Sequence, residues 1–201
     1  MNQNNIYLFE EAVKTQNYDE LMKYVISHQD IENSNAIVIA CKNNSYDMVE
    51  WLLKKKIYNE KNIIEAYIQS FKNGNLYIIK LLLNEYPISL DYDDNCFIKI
   101  SCKNGYEHLV KYLLESHEVN PCTMNNYPLK VAADKGYYKI VGHLLNHEMV
   151  DPSFDKNIII GRACQRNNLK TVKLLLNDSR VDPSDNDNYA LKISCKKDTQ
   201  I

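Results

Sequence analysis

The chain is predicted to be all-α, a solenoid of stacked helix-turn-helix repeats joined by short connectors with a period of about 31 residues. Three observations carry this. First, SFKNGNLYIIKLLL (70–83) returns as SCKNGYEHLVKYLL (101–114), AADKGYYKIVGHLL (132–145) and ACQRNNLKTVKLLL (163–176), at steps of 31 residues. A partial copy, SCKKDTQI, starts at 194, and looser copies start at Ala40 and Ala12. Second, one column holds Asn44, Gly74, Gly105, Gly136 and Asn167, residue types that tolerate the left-handed backbone closing a helix. Third, apolar residues recur at i, i+1, i+4 and i+5, the pattern of a helical face.

Each copy then resolves in order. A first helix carries Ile98, Ile100 and Cys102, or Leu129, Val131 and Ala133, and ends at the Gly/Asn column. A second helix carries Leu109, Val110, Leu113 and Leu114, matched by Ile140, Val141, Leu144 and Leu145. The connector aligns Val119, Val150 and Val181, then Pro121, Pro152 and Pro183, whose fixed φ suits a turn and stops helix continuation. Asn95, Asn126, Asn157 and Asn188 stand just before the first helices and are expected to be N-caps. These marks divide one solenoid, 1–201, into units 6–33, 34–63, 64–94, 95–125, 126–156, 157–187 and 188–201. The first reads as a polar cap with Glu10, Glu11, Lys14, Asp19, Glu20 and Lys23 on its surface. The last, a lone first helix, is expected to fray after Asn188.

At this level the chain resembles ankyrin repeats, a family with a 33-residue period and a T-P-L-H-x-A signature. YPLKVAA (127–133) is the nearest match, with Tyr for Thr and Lys for His, while YALKISC, CFIKISC and IIIGRAC keep less of it. The KNGxxxxVKxLL pattern that follows matches closely in several copies. The period is two residues short, one of them in the connector tip, and the Thr cap with its His partner is missing, which implies a shortened or distorted β-turn finger. The DPS…DN.AL form and the AT-rich coding bias (abundant Asn, Lys, Ile and Tyr) resemble ankyrin proteins of mimivirus-type giant DNA viruses or of AT-rich protists. The resemblance implies a protein-binding role, with a host protein as partner if the viral likeness holds.

Bulk properties fit a soluble chain. The formal net charge is -2 and the pI near 6.2, without the basic footprint of a nucleic-acid binder. No apolar run approaches the roughly 18–20 residues that span a bilayer, and the N-terminus lacks the features of a secretory signal. An intracellular, cytoplasmic setting is expected, with six reduced cysteines. Cys41, Cys102, Cys164 and Cys195 share one column with Phe71 and Ala133, read as a small apolar position facing the neighbouring repeat. Cys96 begins a helix, and Cys122 stands in a connector where an exposed thiol is expected. No C-x-x-C pair occurs.

No chemistry converges. His28, His108, His117, His143 and His147 form no column; His143 shares a position with Trp51, Leu81, Tyr112 and Leu174 and reads as packing. Phosphate-loop and nucleophile-elbow motifs are missing. The oxygen-rich VDPSDNDN (181–188) suggests a calcium loop, which requires Gly at position 6 and Glu at position 12. Counted from Asp182 those places hold Asp187 and Ile193, and from Asp185 they hold Ala190 and Lys196. We therefore expect no metal, no cofactor and no catalytic residue.

Placement of charge and bulk is more informative. Connectors carry Asp91, Asp93, Asp94, Asp151, Asp155, Asp182, Asp185 and Asp187; first helices carry Lys72, Lys99, Lys103, Lys130 and Lys192. An acidic edge therefore adjoins a basic helical face, an arrangement that steers partners. Tyr92, Met124, Phe154 and Tyr189 place large side chains in or beside the connectors, where hot spots are sought. Tyr106 and Tyr137, after the helix-ending Gly, read as repeat grammar. The expected partner-binding residues are Tyr92, Asp93, Met124, Phe154, Asp155, Asp185, Asp187, Lys99 and Lys130. The expected protein is a monomer that binds a protein and neither nucleic acid nor membrane. The alternative is an enzyme or nucleic-acid binder built on repeats, which would need a convergent polar pocket or a continuous basic stripe.

Overall fold

The computed structural model describes residues 3–17, 19–21, 35–54 and 58–198, with side chains described from residue 7 to residue 195. Every regular element among them is helical. The chain forms two compact units, Met1–Ile88 and Ser89–Ile201.

The first unit contains α1 (Gln3–Lys14), α2 (Ala36–Lys42), α3 (Tyr46–Leu53), α4 (Glu60–Asn73) and α5 (Leu76–Glu85). α2 with α3 and α4 with α5 form hairpins; α2 packs on α4, α3 on α5, and α1 on α2. Ile37, Met48, Leu52, Tyr67, Phe71 and Ile78 are fully buried between them. Asparagines set the helix ends. Asn59, in extended backbone, accepts the Asn62 N–H at 2.9 Å and starts α4. Asn75 accepts the Ile78 N–H at 3.0 Å to start α5 and donates to Asn44 Oδ1 at 2.7 Å. Asn73 Nδ2 donates to the carbonyls of Cys41 and Lys42 at 2.8 and 3.0 Å, which satisfies acceptors at the end of α2. Of the expected cap, α1 and residues 19–21 are described; Lys23 and His28 lie outside the described residues.

The second unit alternates first helices α6 (Tyr92–Asn104), α8 (Thr123–Lys135), α10 (Phe154–Gln165) and α12 (Asp185–Asp198) with second helices α7 (Glu107–Glu115), α9 (Tyr138–Leu145) and α11 (Leu169–Leu176). First helices pack on first helices and second on second, more extensively along the first-helix row. The columns expected to be apolar are buried: Ile98, Leu109, Val110, Leu113, Leu129, Val141 and Leu144 at 0% exposure, with Leu114 and Leu145 half-buried. Val119 and Val150 anchor the connectors at 5% and 1% exposure, and Pro121 and Pro152 are buried beside them.

The helix-ending column behaves as expected. Asn44, Gly74, Gly105, Gly136 and Asn167 have φ of 58, 74, 78, 72 and 59°. At Gly105 a Cβ would lie 2.8 Å from the Tyr137 ring, so this glycine also makes room for the tyrosine of the next copy. That is the structural role expected of Tyr137.

The asparagine column before the first helices does not behave as expected. Asn95, Asn126, Asn157 and Asn188 are left-handed, not extended caps, and each closes a run of three left-handed residues: 93–95, 124–126, 155–157 and 186–188. These runs occupy the connector tip where the resemblance implied a β-turn finger. The Asn side chain reaches across to the following copy: Asn95 Oδ1 accepts the Asn120 N–H at 2.7 Å and Asn157 Oδ1 the Asp182 N–H at 3.0 Å. Right-handed helix begins after each run, which places Pro128 in the first turn of the right-handed part of α8, where its missing N–H costs nothing.

The cysteine column is buried only in part. Cys41 and Cys102 are fully buried, Cys164 is half-buried and Cys195 is exposed. No described helix lies beyond α12 to cover it. For the same reason Leu191 is 55% exposed, whereas its column partners Tyr67, Ile98, Leu129 and Ile160 are at 0–2%.

Candidate protein-binding surface

The second unit brings several of the expected binding residues together in pairs. Lys99 of α6 places its Nζ 3.3 Å from Asp94 Oδ2, at the start of its own helix, and 3.6 Å from Met124 Sδ in the next connector. One copy further on, Lys130 Nζ lies 4.9 Å above the Phe154 ring, a cation–π geometry. Each lysine is thus held against an apolar group 24 or 25 positions away, a relation only the stacking creates. Met124 is 62% exposed and left-handed at φ 47°, a backbone that Asp, Asn or Gly adopts far more readily. Tyr92, 37% exposed, stacks on Phe97 of its own helix with ring centroids 6.2 Å apart.

The connector acids divide. Asp93, Asp155 and Asp187 are exposed at the left-handed tips. Asp185 is half-buried and structural, since its Oδ2 accepts from Asn157 Nδ2 at 3.0 Å and its Oδ1 from the Asn186 N–H at 2.6 Å. The Thr123 hydroxyl, donating to Asp94 at 2.7 Å, and the adjacent Lys99 hold the Asp94 carboxyl below the usual carboxylate range. Asp182 and Asp151 close local turns onto Ser184 and Ser153, with the Asp182 carboxyl lowered by the Ser184 hydroxyl and N–H.

Two structural clamps had no sequence signal. Arg162 binds Asp134 of the preceding first helix through Nε, 2.8 Å from Oδ1, and through a terminal nitrogen. Arg180 donates to the carbonyls of Val150 and Leu145 at 2.7 and 2.9 Å while its own Asp178 holds it in place. Its column contains Glu118 and Met149, so no residue type recurs there.

His143 is not simple packing: its Nε2 stands 3.4 Å from Glu107 Oε1, beside a Lys139–Glu107 ion pair of 3.2 Å. Open clefts of about 200 and 320 Å³ lie at Glu107–Tyr138 and at Lys111–His143–His147. Among the described residues no group of three His, Cys, Asp or Glu side chains is placed to hold a metal ion, and no helix is long and apolar enough to cross a membrane. Burial pushes the Cys41 thiol up to about 12 and the Cys102 thiol higher still. Cys122 is half-buried, and its Sγ donates to the Met149 carbonyl at 2.7 Å.

The stacked hairpins, the left-handed helix ends and the 31-residue register define a class, the helical repeat proteins. Two family models make it specific: ankyrin repeats (3 copies) match residues 67–157 and a further ankyrin repeat matches residues 32–62. Together they cover more than half of the chain, which belongs to the ankyrin-repeat proteins. No curated protein matches the chain.

Proposed function

We propose that the chain is a non-enzymatic scaffold that binds a partner protein through its connector tips and the adjoining first-helix face. The observation that carries this reading is the pair of lysine–apolar contacts, Lys99 with Met124 and Lys130 with Phe154, beside the exposed acids Asp93 and Asp155. Met124 is exposed and Phe154 half-buried, and large apolar side chains that reach the surface inside a polar rim are what protein interfaces use as anchors. Ankyrin repeats in general serve protein–protein interaction, which supports the same reading. The proposal includes one repeat array over residues 1–201, a monomer, an intracellular setting and, on the resemblance to giant-virus repeats, a host-cell partner.

A photo-crosslinking residue at position 124, in place of Met124, tests the proposal in a lysate of the source cells. It should capture a defined adduct that is lost in the Phe154→Ala, Asp155→Lys, Asp187→Lys variant. Asp185 is left unchanged, since it holds Asn157. An adduct pattern identical to that from a crosslinker at exposed Lys173 on α11 would contradict the reading.

A further inference from the structure

Past their left-handed starts, and as far as Cys195, the first helices of the second unit carry Lys99, Lys103, Lys130, Lys135, Arg162 and Lys192 against a single carboxylate, Asp134, which Arg162 already clamps. The row is therefore cationic. Beside the lysine column runs a half-buried apolar one, Ile100 and Val131. We infer that this face takes an extended, acidic segment of a partner protein whose carboxylates recur every third residue with an apolar residue between them. This rests on the protein-binding reading above and names the chemistry of the partner.

The spacing follows from packing. Neighbouring helices lie about 8–10 Å apart, and a segment in polyproline-II conformation rises about 3.1 Å per residue and returns to the same face every third residue, so one repeat corresponds to roughly three residues. Carboxylates at i and i+3 then meet Lys99 and Lys130; Lys130 is held over Phe154, while Lys99, 19% exposed beside Met124, already faces Asp94 at 3.3 Å and must share its charge with that carboxylate. The third step differs. Gly161 replaces the lysine there and the Tyr189 ring covers it, since a Cβ at 161 would overlap that ring. At i+6 the segment meets an aromatic plane, so an aromatic or apolar residue belongs there. A polynucleotide fits less well: its unbroken charge would run beside the exposed acids Asp93, Asp155 and Asp187, whereas a peptide can keep its carboxylates on the lysine side.

Fluorescence polarisation on the full chain tests this with a labelled peptide Glu-Leu-Ser-Glu-Leu-Ser-Phe. Its Lys-Leu-Ser-Lys-Leu-Ser-Phe counterpart and a twelve-nucleotide oligothymidine serve as comparison probes. The Glu peptide should bind, weaken as salt rises, and lose at least tenfold in affinity in Lys130→Glu. Lys130→Gln should give an intermediate loss, with thermal melts confirming that both variants fold. Asp155→Lys with Asp187→Lys should leave the Glu peptide bound as before or tighter. Absent binding, equal binding of the Glu and Lys peptides, equal binding of the oligothymidine, or indifference to Lys130→Glu would each overturn the inference. If crosslinking at position 124 persists in Lys130→Glu, the protein-binding reading stands while the acidic-segment inference falls.

Discussion

The two compact units use the same residue for opposite purposes. In the first, Asn59 and Asn75 sit in extended backbone and cap the helices that follow, each bonding an N–H three residues ahead. In the second, Asn95 and Asn157 are left-handed and bond an N–H 25 residues ahead, in the next connector. Asn59 starts one helix, whereas Asn95 and Asn157 tie two connectors together; in the first unit copies are joined instead at the helix ends, where Asn73 and Asn75 reach back to Cys41, Lys42 and Asn44. Repeat arrays draw stability from such nearest-neighbour terms, so the second unit couples its copies through connectors that also display the candidate binding residues.

The hydrophobic cores should not differ between the units, and that bounds the comparison. Phe71 and Phe97 are both fully buried, so Phe71→Ala and Phe97→Ala should each cost about 3–5 kcal/mol in urea unfolding. A large disparity would mean the cores differ and not only the connectors. The next effect separates the two asparagine roles. Asn157→Ala forces a left-handed alanine, about 1–2 kcal/mol, and leaves the Asp182 N–H unpaired, about 1–3 kcal/mol. Asn157→Gly should recover the conformational part. Asn59→Ala should cost about 1 kcal/mol, the usual loss of a cap, and Asn59→Ser should restore it. Equal responses to Gly at both sites would erase the distinction.

Acid should act on the second unit through identified groups. The carboxyls of Asp94, beside Thr123 and Lys99, and Asp178, beside Arg180, have lowered pKa values when folded. The unfolded chain therefore binds protons more readily, and the stabilisation is present above the unfolded value, about 3.9. It is lost as pH falls from there through the lower folded values. Thermal melts of an Asp94→Asn, Asp178→Asn variant should be less pH-dependent than those of the parent below about pH 4. The smallest effect is a gain. Lys156 is left-handed at φ 55°, where the other copies place Asp or Asn, so Lys156→Asn should stabilise by about 0.5–1 kcal/mol. Loss of stability there would argue against the left-handed turn.

Much of this was readable from residue types alone. The Gly/Asn column ended helices because few residues accept positive φ, and the apolar columns were buried because stacking leaves them no other place. The Asn95 column departs from the expected caps because an asparagine before a helix suits both an extended cap and a left-handed turn. What separates them is a partner in the next copy. Preceding residues held a clue: Asp93-Asp94, Asn125, Asp155 and Asn186-Asp187 are types that enter left-handed backbone easily, although Met124 and Lys156 blur it. Among the binding candidates, exposure at Asp93, Asp155 and Asp187 followed from their place in polar connectors. The Lys99–Met124 and Lys130–Phe154 pairings, the structural use of Asp185 and the Arg180 clamp did not, because each depends on atoms one repeat away.

Backbone torsions in solution decide the central claim. Triple-resonance NMR on labelled protein, reading backbone and Cβ chemical shifts with Hα–N couplings at Asn59, Asn95 and Asn157, reports the sign of φ at each. Positive φ at Asn95 and Asn157 with negative φ at Asn59 is the result expected. Negative, extended values at all three would make every one a plain cap and remove the link between copies.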